Sequence, residues 1–535
     1  MIRVKGKTVV PGIAVGTVRL LMPPSAVRRI AIDDPAAEKE RVARAVETAQ
    51  AQLATLYDRA MRDAGEEVAA IFEIHQMMLE DEDYRAAIDD LIDGERVNAE
   101  YAVAQTGEQF SRTFAQMDDE YMKERATDVR DISARLVRCL TGETDDDGDV
   151  PAILIAEELT PSDTLRLDKN NLLAIVTVRG SVNSHTSILA RTMNIPALIS
   201  VPLALDDLRS GMTAIVDGER GEVIFEPDEA TLKSARQTVA ARQAERQALA
   251  RLKGLESVTR DGRKMEICAN IGGVGDITAV LENDADGIGL FRSEFLYLGR
   301  TDLPGEEEQL AAYRQVLEAL PGKKVVIRTL DIGADKQTDA LPMEPEDNPA
   351  LGCRAIRLCL TRPDIFKTQL RALLRAAVYG DLHIMYPMII SCTELDLIAA
   401  LVDEVSAELK QAGIPYRVPP QGIMIETPAA VMISDQLAKK VDFFSVGTND
   451  LSQYTLALDR QNDRLAEFFD PHHEAILREV RIAADNAHAA GIWIGICGEL
   501  GADPALTDAF LNMGIDELSV PPAAVLPLRR RIREM

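Results

Sequence analysis

The stretch GIMIETPAAVMISDQLAKKVDFFSVGTND, residues 422–450, contains two short apolar runs, GIMI and FFSV, separated by a segment of helical pattern. Glu426 follows the first run, and Asn449 with Asp450 follows the second. Two strand-like runs joined by a helical crossover read as a parallel βαβ unit. The alternation recurs from about residue 256 onward, through MEICANI, ADGIGLFRSEF, VVIRTLD, LHIMYPMI, IWIGICGEL and DELSVPP. Together these make roughly eight runs over about 280 residues, the size and rhythm of a (β/α)8 TIM barrel.

Chemistry in such a barrel gathers where the strands end. Arg292, Arg328 with Asp331, Glu426, Asn449 with Asp450, and Cys497 with Glu499 all stand at or just past the end of a run, so they should share one mouth. Arg292, Arg328 and Arg460 offer planar guanidinium groups that pair bidentately with carboxylate or phosphate, which suits a small polyanion; taken singly, each could equally serve a local salt bridge. Glu426 and Asp450 supply the hard oxygens that Mg2+ requires, although a lone strand-end acid is as often a cap or turn residue. Cys497, between glycine-rich neighbours in GICGEL, is either a small buried hydrophobe or a general acid able to protonate carbon.

Upstream of the barrel, residues 228–253 are rich in Ala, Gln and Arg without Pro or Gly and predict one exposed linker helix. Apolar runs near residues 152, 171 and 212, with TVVPGIAVGTVRL at 8–20, predict a small α/β domain. Residues 36–141 carry almost continuous helical pattern and predict a helical insertion within it. The expected organisation is therefore an α/β domain over 1–35 and 142–227, a helical insertion over 36–141, a linker helix over 228–255 and a barrel over 256–535.

Within the α/β domain, GSVNSHTSILARTMNIPALIS (180–200) places His185 just after Asn183 and Ser184, either of which could cap a short helix. A first-turn histidine would direct free backbone N–H groups toward any phosphate on its imidazole, whereas a lone histidine is more often a satisfied surface or core residue.

Composition narrows the partners. Against 87 Asp and Glu stand 59 Lys and Arg, a formal charge of −28, which disfavours nucleic acid and anionic membrane surfaces. Six scattered cysteines give neither a disulfide framework nor a zinc spacing, and the N-terminal MIRVKGKTVVPGIAVGTVRLL lacks the signature of an export signal, so a cytoplasmic location is expected.

The motifs PGIAVG, IFEIHQMMLEDED, YMKERATDVRDI, ELTPSDT and SHTSILARTMNIPA in the first half resemble a known family, the phosphoenolpyruvate-protein phosphotransferases, Enzyme I of the bacterial sugar phosphotransferase system. The likeness continues through GLFRSEFLY, IRTLDIGADK, MIETPAA, SVGTNDLSQYTLALDR and GICGEL, so it spans nearly the whole chain in order. The resemblance implies that His185 accepts the phosphoryl group, that Arg292, Arg328, Asn449, Asp450 and Arg460 bind phosphoenolpyruvate, that Glu426 and Asp450 hold Mg2+, and that Cys497 protonates the enolpyruvate methylene. Lys336 and Arg354 fall in matching segments as supporting charge. It also implies a phosphohistidine intermediate, the phosphocarrier HPr or an HPr-like carrier as acceptor, a homodimer through the barrel, and a histidine domain that docks on the barrel and swings away. In the helical insertion, His75 and Arg125 occupy matching helices, and Glu66, Glu67, Glu80, Asp81, Glu82 and Asp83 could complement a basic carrier.

The chain departs from the family pattern at Ser181 and Asn183, where Gly and Thr are common, at Cys353, where an aromatic is usual, and in DPHHEAIL. A relative of pyruvate phosphate dikinase or phosphoenolpyruvate synthase would need an ATP-binding domain, yet no glycine-rich phosphate loop is found. A non-catalytic regulatory scaffold would be expected to have lost its ligands, and the full set is present.

Overall fold

Parallel strands need a crossover of a dozen or more residues to return, and the second half of the chain supplies one after nearly every strand. The structure is a computed structural model that describes residues 1–21, 27–63, 66–117, 120–142, 151–159, 171–180, 186–187, 190–191, 195–333, 338, 340–341, 343–344 and 346–535. His185, Ser181, Asn183 and Lys336 lie outside the described residues. The chain forms two units, residues 1–244 and 245–535.

In the first unit, an eight-stranded sheet has the order β1-β8-β7-β3-β4-β5-β6-β2. Its strands are β1 (Ile2–Lys5), β2 (Lys7–Val10), β3 (Ile13–Leu21), β4 (Ala152–Ala156), β5 (Leu172–Thr177), β6 (Ala197–Ile199), β7 (Thr213–Asp217) and β8 (Glu222–Phe225). β3, β4, β5 and β6 run parallel, whereas β7, β8, β1 and β2 add antiparallel pairs. Every residue of β4 is buried, as expected of a strand covered on both faces.

Between β3 and β4 the chain makes five helices, α1 (Pro35–Asp63), α2 (Glu66–Glu80), α3 (Glu82–Glu95), α4 (Ala99–Ala115) and α5 (Glu120–Thr141). They share a core of their own, which includes Leu53, Phe72, Ile88, Val103, Ile132 and Leu136. α4 and α5 come close because Gly107 has no side chain: a Cβ there would lie 2.2 Å from Ser133 Oγ, which instead hydrogen-bonds Tyr84 Oη at 2.6 Å. Asp81 caps α3 by accepting from the Tyr84 N–H at 2.8 Å, while Glu80, Glu82 and Asp83 are exposed. The side chains of Glu66 and Glu67 lie outside the described residues.

His75 faces the interior of the bundle. It is fully buried, with Nε2 3.2 Å from Asp128 and Nδ1 3.8 Å from Asp131, and Arg125 pairs with Asp128 at 2.9 Å. In the bundle interior its ring is enclosed by these two acids from α5 and, edge-on, by Phe72 at 5.9 Å.

The helix α6 (Glu229–Ala250) carries the chain from the first unit to the second; Asp228 caps it through the Thr231 N–H at 2.8 Å, and Ala235 alone of its residues is buried.

The second unit is a closed barrel of eight parallel strands: β9 (Glu266–Ile271), β10 (Ile288–Arg292), β11 (Lys324–Arg328), β12 (Asp381–Tyr386), β13 (Gln421–Ile425), β14 (Phe443–Val446), β15 (Trp493–Ile496) and β16 (Glu517–Val520), with β16 pairing back to β9. Buried side chains such as Phe291, Ile327, Ile384, Ile425 and Val446 belong to one core shared with the surrounding helices. At the bottom, where strands begin, Lys324 places its ammonium 2.6 Å from Glu266 and 2.7 Å from Glu517, and 4.0 Å from the centre of the Trp493 ring. Glu266, Cys268 and Glu517 lie close enough to share a metal ion, and the Lys324 ammonium already stands against both carboxylates.

Replacing Lys324 with Met should strand the Glu517 carboxylate, which is 1% exposed, and cost about 3–5 kcal/mol of barrel stability. Adding Glu517→Gln should recover most of that loss in denaturant unfolding.

Candidate active site

Seven residues singled out by the sequence, Arg292, Arg328, Glu426, Asn449, Asp450, Arg460 and Cys497, line one cavity of about 350 Å3 at the C-terminal ends of the barrel strands. Each arrives there for a local reason. Arg292 and Arg328 are the last residues of β10 and β11, and Glu426 is the first residue past β13. The next residue, Thr427, caps the helix Pro428–Met432 by accepting from the Ala430 N–H at 3.1 Å and donates to Ile389 O at 3.0 Å, which ends the strand sharply. Asn449 and Asp450 open the helix Thr448–Leu456, and Cys497 follows β15.

The floor of the cavity is a charge cluster. Arg328, 6% exposed, donates to Glu294 at 2.5 Å and stands 3.1 Å from Asp331. Arg354, also buried, reaches Asp331 at 2.9 Å, Asp450 at 3.4 Å and the Tyr454 hydroxyl at 3.2 Å. Burial opposes charge on both arginines, but the facing carboxylates outweigh it and hold both guanidinium groups protonated. Glu426 accepts from the Met388 N–H at 2.6 Å, and Met388 adopts a left-handed φ of 58° to present it. Gly447 keeps the space above: a Cβ would come 3.0 Å from Glu426 Oε2.

Buried in this cluster are four carboxyl groups, Glu294, Asp331, Glu426 and Asp450, against two guanidinium groups, Arg328 and Arg354. Four minus two leaves a shortfall of two positive charges. Its effect shows at Glu426, whose carboxyl is pushed up to about 8 by burial, then by Asp450 and Asp331, with Arg328 and Arg354 only partly offsetting them. Hard oxygen donors beside an unmet charge of two fit a divalent cation such as Mg2+.

The rim is more open. Arg292 and Asn449 are half-buried and Arg460 is exposed. Asn449 donates to Glu499 Oε1 at 2.9 Å and accepts from the Glu499 N–H at 2.9 Å, which locks its amide. Cys497 is buried, its thiol 3.6 Å from Val446 O, and is pushed up to about 11 by burial; contact with Ser445 and the charge of Arg328 pull the other way, while Glu426 and Glu517 add to the rise. The thiol therefore stays protonated near neutrality and can serve as an acid.

Sequence reasoning missed Glu294 and Tyr454. Glu294 stands two residues past a strand end, in FRSEF, and that position was the available signal; Tyr454 follows Asp450 by one helical turn and gives none. The departures are placed as well. Cys353 is half-buried beside Arg354, its N–H held by Glu346 at 2.9 Å and its thiol 3.7 Å from Thr361 Oγ1. In DPHHEAIL, His472 bonds Asp503 at 2.6 Å and ties the segment after β14 to the one after β15.

Three family models match the chain: "PEP-utilising enzyme, N-terminal" over residues 5–125, "PEP-utilising enzyme, mobile domain" over 148–221, and "PEP-utilising enzyme, PEP-binding domain" over 246–535. A Priestia megaterium protein named phosphoenolpyruvate-protein phosphotransferase is 42% identical across 99% of this chain and 94% of its own length. Its namesake from Bacillus subtilis strain 168 is 40% identical across 100% of this chain and 95% of its own. A solution structure of an Enzyme I protein is 32% identical, covers 45% of this chain and 99% of that one, and aligns with a TM-score of 0.38.

The Glu426 carboxyl yields a signed prediction for metal-free protein. Its folded pKa, about 8, lies above its ordinary 4.5, so the stabilisation it contributes is complete below about 4.5 and is lost as pH rises through 8. Glu426→Gln should remove this loss. In calorimetry with chelator, the variant should gain stability relative to the parent between pH 5 and 9; a constant difference would refute the charge cluster.

Proposed function

The chain belongs to the phosphoenolpyruvate-protein phosphotransferase family of enzymes, and on that premise we propose that it takes the phosphoryl group of phosphoenolpyruvate onto His185, releases pyruvate, and passes the group to HPr or an HPr-like carrier at the head of a sugar-uptake phosphorelay. The observation that carries this reading is the single cavity where Arg292, Arg328, Glu426, Asn449, Asp450 and Cys497, all at or just past strand ends, meet Arg460.

Arg292 and Arg460 on the rim receive the substrate's carboxylate and phosphate, and Arg328, fixed by Glu294 and Asp331, faces the equatorial phosphoryl oxygens as charge moves onto them. Preorganised donors of this kind cost little reorganisation during the reaction. Asn449, locked by Glu499, orients the substrate. Glu426 and Asp450 would hold Mg2+, which when bound supplies positive charge to phosphoryl oxygen. His185 attacks as the neutral imidazole, and Cys497 delivers its proton to the methylene carbon. Conversion of the enol to the keto product makes the donor strong.

The acidic groups Glu80, Glu82 and Asp83 on the helical insertion support a basic carrier surface as partner. The division into histidine domain, carrier-docking insertion, linker helix and substrate barrel follows the same reading. Two large apolar side chains on the barrel, Met432 and Phe468, are 74% and 70% exposed and support pairing of two copies through this unit. Among the described residues no helix is long and apolar enough to cross a membrane, and all six cysteines are free, which supports a reducing cytoplasmic setting.

Incubation with Mg2+ and phosphorus-labelled phosphoenolpyruvate should give one acid-labile, base-stable label per chain at His185, together with stoichiometric pyruvate. His185→Ala should abolish the label, and Cys497→Ala should lower turnover by about 10²–10⁴-fold. An unlabelled but folded protein would favour a non-catalytic regulatory scaffold.

A further inference from the structure

We propose that Asn270 is a positioning residue that fixes the Cys497 thiol so that the enolpyruvate carbon receives its proton on one face. The inference rests on the phosphotransfer reading and names a residue that reading does not use.

Asn270 is the penultimate residue of β9 and is half-buried inside the barrel. Its Nδ2 donates to the Cys497 carbonyl at 3.1 Å and to the Ser519 carbonyl at 3.1 Å, and its Oδ1 accepts from Ser519 Oγ at 2.6 Å. Both amide hydrogens and the carbonyl are thus engaged, and the Ser519 hydroxyl decides which way the amide faces. Ser519 is fully buried, in room that Gly289 leaves: a Cβ on Gly289 would lie 2.5 Å from Ser519 Oγ.

The reach of this contact is unusual. β9 is not a neighbour of β15, because β16 lies between them, so Asn270 spans a strand to hold the residue that ends β15. On the other side the Cys497 N–H donates to Val446 O at 3.1 Å, and Gly498 is pressed so near Thr448 that a Cβ would meet its Oγ1 at 2.0 Å. The Cys497 peptide is gripped from both flanks, and a cysteine has one side-chain torsion to set once its backbone is fixed. Asn270 also lines a second cavity, of about 690 Å3, which shares Arg292, Asn449 and Cys497 with the substrate cavity. Loosening the brace would let water compete with the thiol from that side.

The step balances. As a His185 imidazole nitrogen forms its bond to phosphorus, the O–P bond breaks and its electrons return to the enol oxygen, which forms the C2 carbonyl; the former C=C pair takes the thiol proton at C3, and the thiolate left behind is reprotonated by solvent.

The test uses the full chain with Mg2+ and phosphoenolpyruvate carrying deuterium at one C3 position, turned over in tritiated water. One-face protonation yields a methyl group of single handedness. The parent should give that product; Asn270→Ala and Asn270→Asp should give a largely racemic methyl with turnover reduced about tenfold or more, while KM for phosphoenolpyruvate stays within about threefold. Ser519→Ala, which frees the amide without removing it, should fall between. Variants that keep single handedness at parental rate overturn the proposal. So do variants whose KM, thermal stability and handedness fail together, since that marks a general structural role. A parent that forms phosphoenzyme but racemic methyl overturns the brace alone, whereas a parent that forms no phosphoenzyme overturns the phosphotransfer reading along with it.

Discussion

The packing of four carboxyl groups around Arg328 and Arg354 is the constraint on which the mouth of the barrel depends. Each guanidinium is fixed by two or more oxygens, so neither needs to reorganise when an anion arrives. The same packing leaves negative charge unmet, which Glu426 relieves in metal-free protein by holding a proton to about pH 8. A site with this balance favours a cation and an anion together over either alone. Closure of the barrel makes the cluster possible, because it brings the ends of β10, β11, β13 and β14 to one ring although its members extend along the chain from Glu294 to Asp450, 156 positions apart (450 − 294).

How much of this was legible in the sequence follows from what the pattern encodes. The alternation of apolar runs with helical segments fixes where strands end, and a chemistry-bearing residue at a strand end is thereby placed; Arg292, Arg328, Glu426 and Cys497 were legible on that ground. Glu294 was not, because its importance lies in its pairing with Arg328, and pairing across strands leaves no periodic trace. β1, β6 and β8, of three or four residues each, are too short to show alternation and owe their existence to neighbours in the sheet. The burial of His75 was not legible either, because the acids that face it, Asp128 and Asp131, come from a different helix, α5.

The two ends of the barrel solve the problem of buried charge differently, and the contrast locates the chemistry. At the bottom, Lys324 sits between Glu266 and Glu517 and packs on Trp493, itself stacked on Phe443 with ring centres 4.4 Å apart. There one ammonium faces two carboxylates, a shortfall of one, and Glu266 keeps about half its side chain in water, so a metal ion would have to displace a held ammonium. At the mouth the shortfall is two, Arg460 stands open to solvent with Arg292 half-buried, and Asn270 spans β16 to hold the Cys497 carbonyl. Burial of unmatched charge is costly for folding. A chain that carries its larger mismatch at one end of the barrel has, at that end, the cluster that a cation and an anion would complete.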